Sequence, residues 1–224
     1  MDTKWSSMKK EQLEAEIYCD PFPLMVINNF YNKFELDLIW KELDFYTAPN
    51  KLLPAENYGG VIGFTNAKAL LLDDIYRDRT KEKEKANFRN VSNILTVNRK
   101  LFNCGVLDTF SEIHGCVSIA NQTNWDVTKV RYYHNGEYYD PHTDKPFQFL
   151  AFSYFYKEPK KFKGGDLEFP KYDMKIPCGN NSMVIFPGWV EHGVRKVKID
   201  NSDYFDGWGR YAITSFFGCK EKND

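Results

Sequence analysis

Two histidines and one aspartate stand where they could hold a metal ion together. His142 and Asp144 are separated by one residue, and in an extended segment such residues point to the same face. His192 opens a later run of β-like sequence. Two imidazoles and one carboxylate suit a divalent transition metal such as iron(II) and leave coordination positions open. A His-x-Asp pair alone is also compatible with a surface turn after Pro141.

The other two histidines are alternatives to His192 as the third ligand. His114 ends a stretch with helical periodicity, where a structural role is expected. His134 lies beside the segment that carries His142, but its parity directs it away from Tyr133. His192 is therefore favoured.

The predicted secondary structure that must position these residues changes along the chain from helices to strands. Residues 34–45 carry apolar side chains at helical spacing, with Asn32 as a possible N-cap. Residues 67–77 and 92–113 predict further helices. Residues 50–65 contain Pro54 and several glycines and read as a loop. The charged, non-periodic stretch 80–90 is either a solvated loop or a lid over a substrate.

After Asn124 the pattern changes to short runs of β-branched and aromatic residues separated by turn signals. These runs are 129–133, 147–156, 166–169, 183–186, 192–199 and 210–217. We expect one α+β domain over 1–224. Residues 1–124 would be mainly helical support packed on one face, and residues 125–220 a catalytic jelly-roll core.

Four short blocks of sequence surround the proposed ligands. Residues 133–144 read Tyr-His-Asn-Gly-Glu-Tyr-Tyr-Asp-Pro-His-Thr-Asp. The second block is Ser-Tyr-Phe-Tyr at 153–156, followed by Gly-Gly-Asp-Leu-Glu-Phe at 164–169. The third is Ile-Phe-Pro at 185–187, followed by His192, and the fourth is Arg-Tyr-Ala-Ile-Thr at 210–214. In this order, the blocks resemble those of the prolyl 4-hydroxylase group of Fe(II)- and 2-oxoglutarate-dependent dioxygenases, whose first block reads Tyr-x-x-Gly-x-x-Tyr-x-x-His-x-Asp.

The resemblance implies a double-stranded β-helix (a jelly roll) and a set of site residues. Iron(II) would be held by His142, Asp144 and His192. 2-Oxoglutarate and dioxygen would complete the coordination, with ascorbate as an optional reductant. The products would be succinate, CO2 and a hydroxylated substrate.

The other residues that the resemblance assigns surround the cosubstrate and the substrate. Tyr133 and Tyr154 would donate hydroxyls to 2-oxoglutarate, although each could instead be a core aromatic. Leu167 would pack on the methylenes of 2-oxoglutarate. Tyr139 and Phe216 are the candidate residues on the substrate side.

Arg210 is the expected cation for the far carboxylate of 2-oxoglutarate, because its fork can bind a carboxylate bidentately. It lies further beyond His192 than the corresponding cation of many relatives, and an insertion separates the two. Arg195, Lys196 and Lys198 are closer rivals in sequence. Arg195 has outward parity and Lys198 is too far along a strand, so Lys196 is the main competitor.

Composition limits the partners. The net charge is −1 and the pI about 6.4, so no nucleic-acid partner is expected. Five scattered cysteines without a Cys-x-x-Cys favour reduced thiols in a cytoplasmic protein. The polar residues 1–16 do not read as a signal peptide, and no run is long enough for a membrane span. No feature indicates an oligomeric state.

Three function classes are compared. The first is hydroxylation of prolyl residues in a peptide or protein, and the second is oxygenation of a free amino acid or other small molecule. The third is a non-catalytic jelly-roll binding module, which the complete ligand set disfavours. The carboxylate of Asp144 argues against halogenation. The lysines of 157–163 read as a solvated hairpin tip, or else as a receiver for an acidic substrate.

Overall fold

The structure is a computed structural model that describes residues 13–48, 51–58, 63–76, 88–200 and 203–219. The helices within these ranges are α1 (Lys33–Tyr46), α2 (Leu72–Ile75), α3 (Asn93–Val97), α4 (Lys100–Asn103) and α5 (Val106–Ile113). The strands are β1 (Ala15–Tyr18), β2 (Leu24–Ile27), β3 (Leu53–Pro54), β4 (Lys68–Leu71), β5 (Trp125–Tyr133), β6 (Tyr139–His142), β7 (Phe149–Phe155), β8 (Phe162–Lys163), β9 (Leu167–Phe169), β10 (Met174–Ile176), β11 (Ser182–Pro187), β12 (His192–Val194), β13 (Lys198–Ile199) and β14 (Arg210–Gly218).

Two antiparallel sheets form the β core. The larger sheet has the order β1-β2-β11-β7-β14-β5-β4-β3, and the smaller has the order β10-β9-β12-β6. One buried apolar cluster contains side chains of both sheets, among them Phe152 and Phe169. A second cluster joins the larger sheet to the helices, as Ile39 of α1 and Ile213 of β14 illustrate. The predicted α+β fold with a jelly-roll core and helices on one face is therefore confirmed.

Strand β5 shows how the sequence separates the two clusters. Val130 and Tyr132 belong to the cluster that faces the helices, whereas Tyr133 belongs to the cluster between the sheets. Because side chains alternate along a strand, Lys129 and Arg131 share the face of Tyr133. We call this side of β5, β7 and β14, turned toward the smaller sheet, the inner face.

Helix α1 begins where the sequence predicts. The Asn32 side chain accepts a hydrogen bond from the Glu35 amide (3.0 Å), and the Glu35 carboxylate accepts one from the Asn32 amide (2.8 Å). This reciprocal capping pairs two amides that a helix terminus otherwise leaves without partners. Ile39, Leu43 and Tyr46 then point into the cluster between α1 and the larger sheet.

The helix predicted over residues 67–77 is wrong for its first half. Lys68–Leu71 form β4, which pairs with β5 in the register Ala69–Arg131, and only Leu72–Ile75 are helical. The Lys-Ala-Leu-Leu sequence has helical propensity, but pairing with β5 satisfies its backbone and buries Ala69 and Leu70. Sheet pairing therefore overrides local preference here.

The single helix predicted over 92–113 is three short helices. Ser92 caps α3 by accepting a hydrogen bond from the Leu95 amide (3.1 Å). Gly105 adopts φ +76° immediately before α5, a conformation that interrupts a right-handed helix. The expected helical half also contains β1 to β4, and β2 lies inside the larger sheet, so the description of 1–124 as mainly helical is too simple.

The two predicted loops are described only in part. Residues 51–58 contain β3 and a short 3-10 turn rather than a plain loop. Most of the charged stretch 80–90 lies outside the described residues, so its role as a lid stays a prediction. None of the helices in the described ranges combines the length and apolar character needed to cross a bilayer.

Glu137 provides a test of the packing that joins β5 to β6. Its carboxylate accepts a hydrogen bond from the His134 amide (2.6 Å), and burial raises its pKa from 4.5 to about 7. The folded protein therefore binds the proton more tightly than the unfolded chain. The contribution of the Glu137 carboxyl to the free energy of unfolding is fully present below pH 4.5. This contribution is lost as the pH rises through about 7.

Glu137→Gln should therefore flatten the pH dependence of the free energy of unfolding. The amide oxygen can still accept from His134 but does not ionise, so the variant should gain up to about 3 kcal/mol over wild type at pH 8. Urea unfolding at pH 5 and pH 8 measures the difference. Glu112→Gln, at an exposed position, is the control. Equal pH slopes in Glu137→Gln and wild type would contradict the assignment.

Candidate active site

The three predicted metal ligands meet between β6 and β12. His142 and His192 face each other across these antiparallel strands, and their ring centroids lie 4.5 Å apart. Asp144 follows two residues after His142, and its Oδ2 lies 3.8 Å from His142 Nε2 and 3.5 Å from His192 Nε2. Potential ligand atoms of all three residues lie within 4.8 Å of one another. The fold thus brings together residues that are distant in sequence.

Both imidazoles are oriented by the same local contact. His142 Nδ1 lies 2.9 Å from the Asp140 carbonyl oxygen, and His192 Nδ1 lies 2.9 Å from the Val190 carbonyl oxygen. A carbonyl can only accept, so each Nδ1 is the protonated nitrogen and each Nε2 carries the free lone pair. Such a hydrogen bond is the usual support of a metal-binding histidine.

The donor set fits a bound iron(II) ion. His192 Nε2 is buried and has no hydrogen-bond partner among the described residues. A buried lone pair without a partner is unfavourable, and coordination to a metal would satisfy it. Two imidazoles and one carboxylate, with open positions, are the ligands of non-haem iron(II) oxygenases.

The charge states of the ligands favour a divalent cation. Burial, with a further contribution from His192, lowers the pKa of His142 to about 4. His142 is therefore neutral at pH 7 and can coordinate without releasing a proton. Burial alone would raise the pKa of Asp144, but interactions with His192 and His142 bring it below its usual value. Asp144 is therefore a carboxylate.

Gly188 holds the segment that carries Asp144. The Asp144 amide donates to the Gly188 carbonyl (2.8 Å), and the Phe147 amide donates to the Asp144 carbonyl (2.9 Å). A Cβ atom at position 188 would lie 2.3 Å from the Phe147 oxygen and 2.7 Å from the Asp144 oxygen. Only glycine fits at position 188 without moving the backbone of Asp144.

Arg210 lies on the inner face with the residues predicted to bind the cosubstrate. Its guanidinium carbon is 4.7 Å from the ring centroids of both Tyr133 and Tyr154. Arg210 is fully buried, and none of its side-chain nitrogens has a hydrogen-bond partner in the described part of the chain. The Tyr154 hydroxyl is likewise buried without a partner, and Leu167 is fully buried. A buried cation with unpaired donors is costly unless an anion binds it.

The Gly-Gly block is explained by the proximity of Arg210. Gly165 has φ +75°, and a Cβ atom there would lie 2.8 Å from Cδ of Arg210. The missing side chain leaves room for the arginine stem beside β9. The neighbouring Gly164 also has φ +75°, and its Cβ would lie 2.2 Å from the Lys196 carbonyl oxygen. Both glycines therefore permit close packing that other residues would prevent.

The rival cations lie elsewhere. Arg195 is exposed and forms an ion pair with Glu168 (2.5 Å). Lys196 is exposed, with its Nζ 5.5 Å from the Tyr138 ring centroid. Lys198 is exposed on β13. Of the four candidates, only Arg210 lies buried on the inner face, so it stays the predicted cosubstrate cation.

The spare histidines have other contacts. His114 caps a 3-10 turn by accepting from the Cys116 amide (3.2 Å). His134 packs against the rings of Tyr132 and Tyr204. Neither lies in the cluster of potential metal ligands.

The two candidate substrate-side residues lie on different sheets, Tyr139 on β6 and Phe216 on the inner face of β14. The Tyr139 ring stacks on that of His142 with a centroid distance of 3.8 Å. Phe216 is buried on β14, 4.8 Å from the Phe147 ring centroid. Tyr139 thus lies beside a proposed metal ligand, and a contact of either residue with substrate stays a prediction.

Sequence reasoning missed several polar residues of the inner face. Arg131 and Lys129 precede Tyr133 at steps of two residues on β5, and Thr214 lies opposite Lys129 on β14. Arg131 Nε and the Thr214 hydroxyl oxygen are both buried without a hydrogen-bond partner among the described residues. Side chains alternate along β5, so the same parity that directs Tyr133 to the inner face also predicts that Arg131 and Lys129 point there.

Gly188→Ala should weaken metal binding without removing a ligand. The added Cβ must move the backbone of Asp144 or Phe147, and loss of such support typically costs roughly 10- to 100-fold in metal affinity. An anaerobic Fe(II) titration should saturate near one equivalent for wild type and show no site in His142→Ala. Gly115→Ala is the matched control because its Cβ would meet nothing within 4 Å. If Gly188→Ala and Gly115→Ala bind Fe(II) equally, the loop does not position Asp144.

Comparison with known proteins agrees with this geometry. Residues 128–218 match the model of the 2OG-Fe(II) oxygenase superfamily. A prolyl-4-hydroxylase from Pseudomonas putida superposes with a TM-score of 0.56 at 15% identity, over 88% of this chain and 93% of that one. A search of curated protein sequences gave no significant match.

Two further solved structures have the same fold. A prolyl hydroxylase from Trichoplax adhaerens, in complex with a hypoxia-inducible factor peptide fragment, gives a TM-score of 0.55 at 14% identity, over 87% of this chain and 82% of that one. A 2OG-Fe(II) oxygenase family oxidoreductase from Burkholderia pseudomallei gives 0.55 at 13%, over 87% and 84%. Identities this low establish only the fold, whereas the matched segment 128–218 contains all three proposed ligands. Residues 128–218 thus resemble the 2OG-Fe(II) oxygenase superfamily, and the chain has the fold of these prolyl hydroxylase structures.

Proposed function

We propose that this protein is an Fe(II)- and 2-oxoglutarate-dependent dioxygenase that hydroxylates an aliphatic C–H bond. One molecule each of dioxygen and 2-oxoglutarate would be consumed, and the products would be the alcohol, succinate and CO2. The observation that carries the proposal is the fully buried Arg210, whose donors have no partner among the described residues. It lies on the same inner face that the His/Asp/His cluster adjoins. A dicarboxylate chelating the metal would place its far carboxylate against such a cation.

Each residue of the site has a specific task in this proposal. His142, Asp144 and His192 hold iron(II), which when bound supplies the activation of dioxygen. Arg210 and the Tyr154 hydroxyl bind the far carboxylate through charge-assisted hydrogen bonds, and Tyr133 donates from the neighbouring strand. Leu167 packs against the methylene groups. The apolar side chains of the inter-sheet cluster keep bulk water out and strengthen these electrostatic contacts.

Two substrate classes are candidates. The prolyl 4-hydroxylase-like fold supports a prolyl residue of a peptide or protein, and one structural neighbour holds a peptide. The basic residues Arg131 and Lys129 on the inner face support a substrate that carries an acid group, such as a free amino acid. In either class, one catalytic unit comprising residues 1–224 would recognise the substrate.

The reaction is tested by succinate release. Wild-type protein with Fe(II), 2-oxoglutarate and air should form succinate slowly without a substrate, and ascorbate should sustain the rate by restoring oxidised iron. Proline-containing peptides and free amino acids are then screened for stimulation, and mass spectrometry should find a 16 Da gain in the substrate, as expected for one added oxygen atom. His142→Ala should form no succinate. Absence of both 2-oxoglutarate binding and turnover in wild type would favour a non-catalytic binding module.

Arg210→Ala should selectively weaken 2-oxoglutarate binding. Leaving a buried carboxylate unpaired costs on the order of 2 to 5 kcal/mol, or roughly 30- to 4000-fold in affinity. Calorimetric titration of 2-oxoglutarate into the manganese-substituted protein measures this loss, while Mn(II) affinity should change little. Lys196→Ala is the matched control, because Lys196 is exposed. The opposite result, with loss in Lys196→Ala and retention in Arg210→Ala, would move the cation to Lys196.

A further inference from the structure

Two cations that the cosubstrate does not need lie on the inner face of β5. Arg131 pairs with Ala212 across the ladder to β14, and Lys129 pairs with Thr214, whereas Tyr133 pairs with Arg210. Each step of two residues along a strand covers about 7 Å. Arg131 therefore lies one step, and Lys129 two steps, from the Tyr133–Arg210 pair. This separation places them outside the immediate contacts of Arg210.

Arg131 is buried beside the metal ligands. Its side chain is only 5% exposed, and its Nε has no hydrogen-bond partner among the described residues. Its guanidinium carbon lies 4.9 Å from the Tyr139 ring centroid, and that ring stacks on His142 at 3.8 Å. Arg131 is therefore close to the metal centre.

Among the residues that the structure describes, no ion-pair partner explains the burial of Arg131. In the described ranges of the chain, no carboxylate lies within ion-pair distance of its guanidinium. Its recorded contact with Tyr139 is a cation–π contact, which satisfies none of its N–H donors. A buried charge without an opposite charge at ion-pair distance is unfavourable. An anionic ligand would remove this cost.

Lys129 extends the positive region along the same strand. Its Nζ lies 4.9 Å from the Phe216 ring centroid. Burial and the repulsion from Arg131 lower its pKa to about 8, while Asp144 and Asp74 act in the opposite direction. Two cations at successive inner-face positions repel each other in a region of low dielectric constant. A bound anion would stabilise both.

We propose that Arg131, assisted by Lys129, binds a carboxylate group of the substrate. The inference rests on the proposed function, and it adds that the molecule hydroxylated is an acid. The carboxylate could belong to a free amino acid or to an acidic side chain close to the target residue in a peptide. A planar guanidinium can bind such a carboxylate bidentately. Because Tyr139 separates Arg131 from His142, this carboxylate group would keep nearby carbon atoms of the same molecule beside the metal ligands.

The test uses the protein loaded with Fe(II) and 2-oxoglutarate. One arm compares each of the twenty common amino acids with its carboxamide. The second arm compares blocked peptides Ala-Glu-Pro-Glu-Ala and Ala-Gln-Pro-Gln-Ala. We expect acids of at least one arm to stimulate succinate release at least tenfold over the neutral analogue. The arm that responds identifies the source of the carboxylate.

Variants then connect the response to Arg131. In Arg131→Gln the stimulating acid should be needed at tenfold or higher concentration, and its binding to the manganese-substituted protein by calorimetry should weaken equally. Arg131→Lys should restore part of this binding. Arg195→Gln, which removes an exposed arginine directly after β12, should change neither the concentration of acid that is needed nor its binding. Binding of 2-oxoglutarate should stay within about threefold of wild type in all of these variants.

Three outcomes would overturn the inference. The neutral analogues could stimulate as well as the acids, or no acid of either arm could act although wild type turns over 2-oxoglutarate. Alternatively, Arg131→Gln could lose 2-oxoglutarate itself, which would assign Arg131 to the cosubstrate. Failure of the proposed function looks different, because wild type would then neither bind nor turn over 2-oxoglutarate in any condition.

Discussion

His142 and His192 face each other across β6 and β12, and the active site depends on this register. A shift of one residue in either strand would turn one imidazole to the opposite face of the smaller sheet. The register is supported on both sides. β12 also pairs with β9 through Gly193–Glu168, and a Cβ atom at Gly193 would lie 3.0 Å from the Tyr139 carbonyl oxygen. Close packing of the two strands therefore leaves little freedom for the ligand geometry.

The larger sheet lies opposite the proposed metal ligands, and the burial of unpaired polar atoms on its inner face is energetically unfavourable. Binding of the cosubstrate and the substrate would offset this cost. The inner face of the larger sheet buries polar atoms of Arg210, Tyr154 and Thr214, for which the described residues provide no hydrogen-bond partners. Buried polar groups in folded proteins are normally paired. Anions that bind the folded chain and not the unfolded one would therefore add to its stability by mass action. The same buried polar atoms would therefore determine both the affinity for these anions and part of the stability of the core.

The sequence is informative where local chemistry and strand alternation decide the structure. The ligand set, the inward direction of Arg210 and the capping of α1 by Asn32 all follow from residue types and spacing. It is less informative where partners distant in the sequence decide. Residues 68–71 have helical propensity but become β4 because β5 offers a strand edge. The burial of Arg131 beside Tyr139 depends on how β5 and β6 pack, which no local pattern reports.

The two sheets divide the chemistry between them. The smaller sheet and the turn after β6 carry the proposed metal ligands, whereas the larger sheet carries the groups that, in our proposal, face the cosubstrate and the substrate. On β5 the distance from the Tyr133–Arg210 pair increases in regular steps to Arg131 and then Lys129, and neither of these two residues is a proposed metal ligand. In our proposal, substitutions at these two positions would alter which molecule is accepted without removing a metal ligand. The side chains of β5 alternate between the cluster that faces the helices and the inner face. In our proposal, the same strand therefore supports both the fold and the choice of substrate.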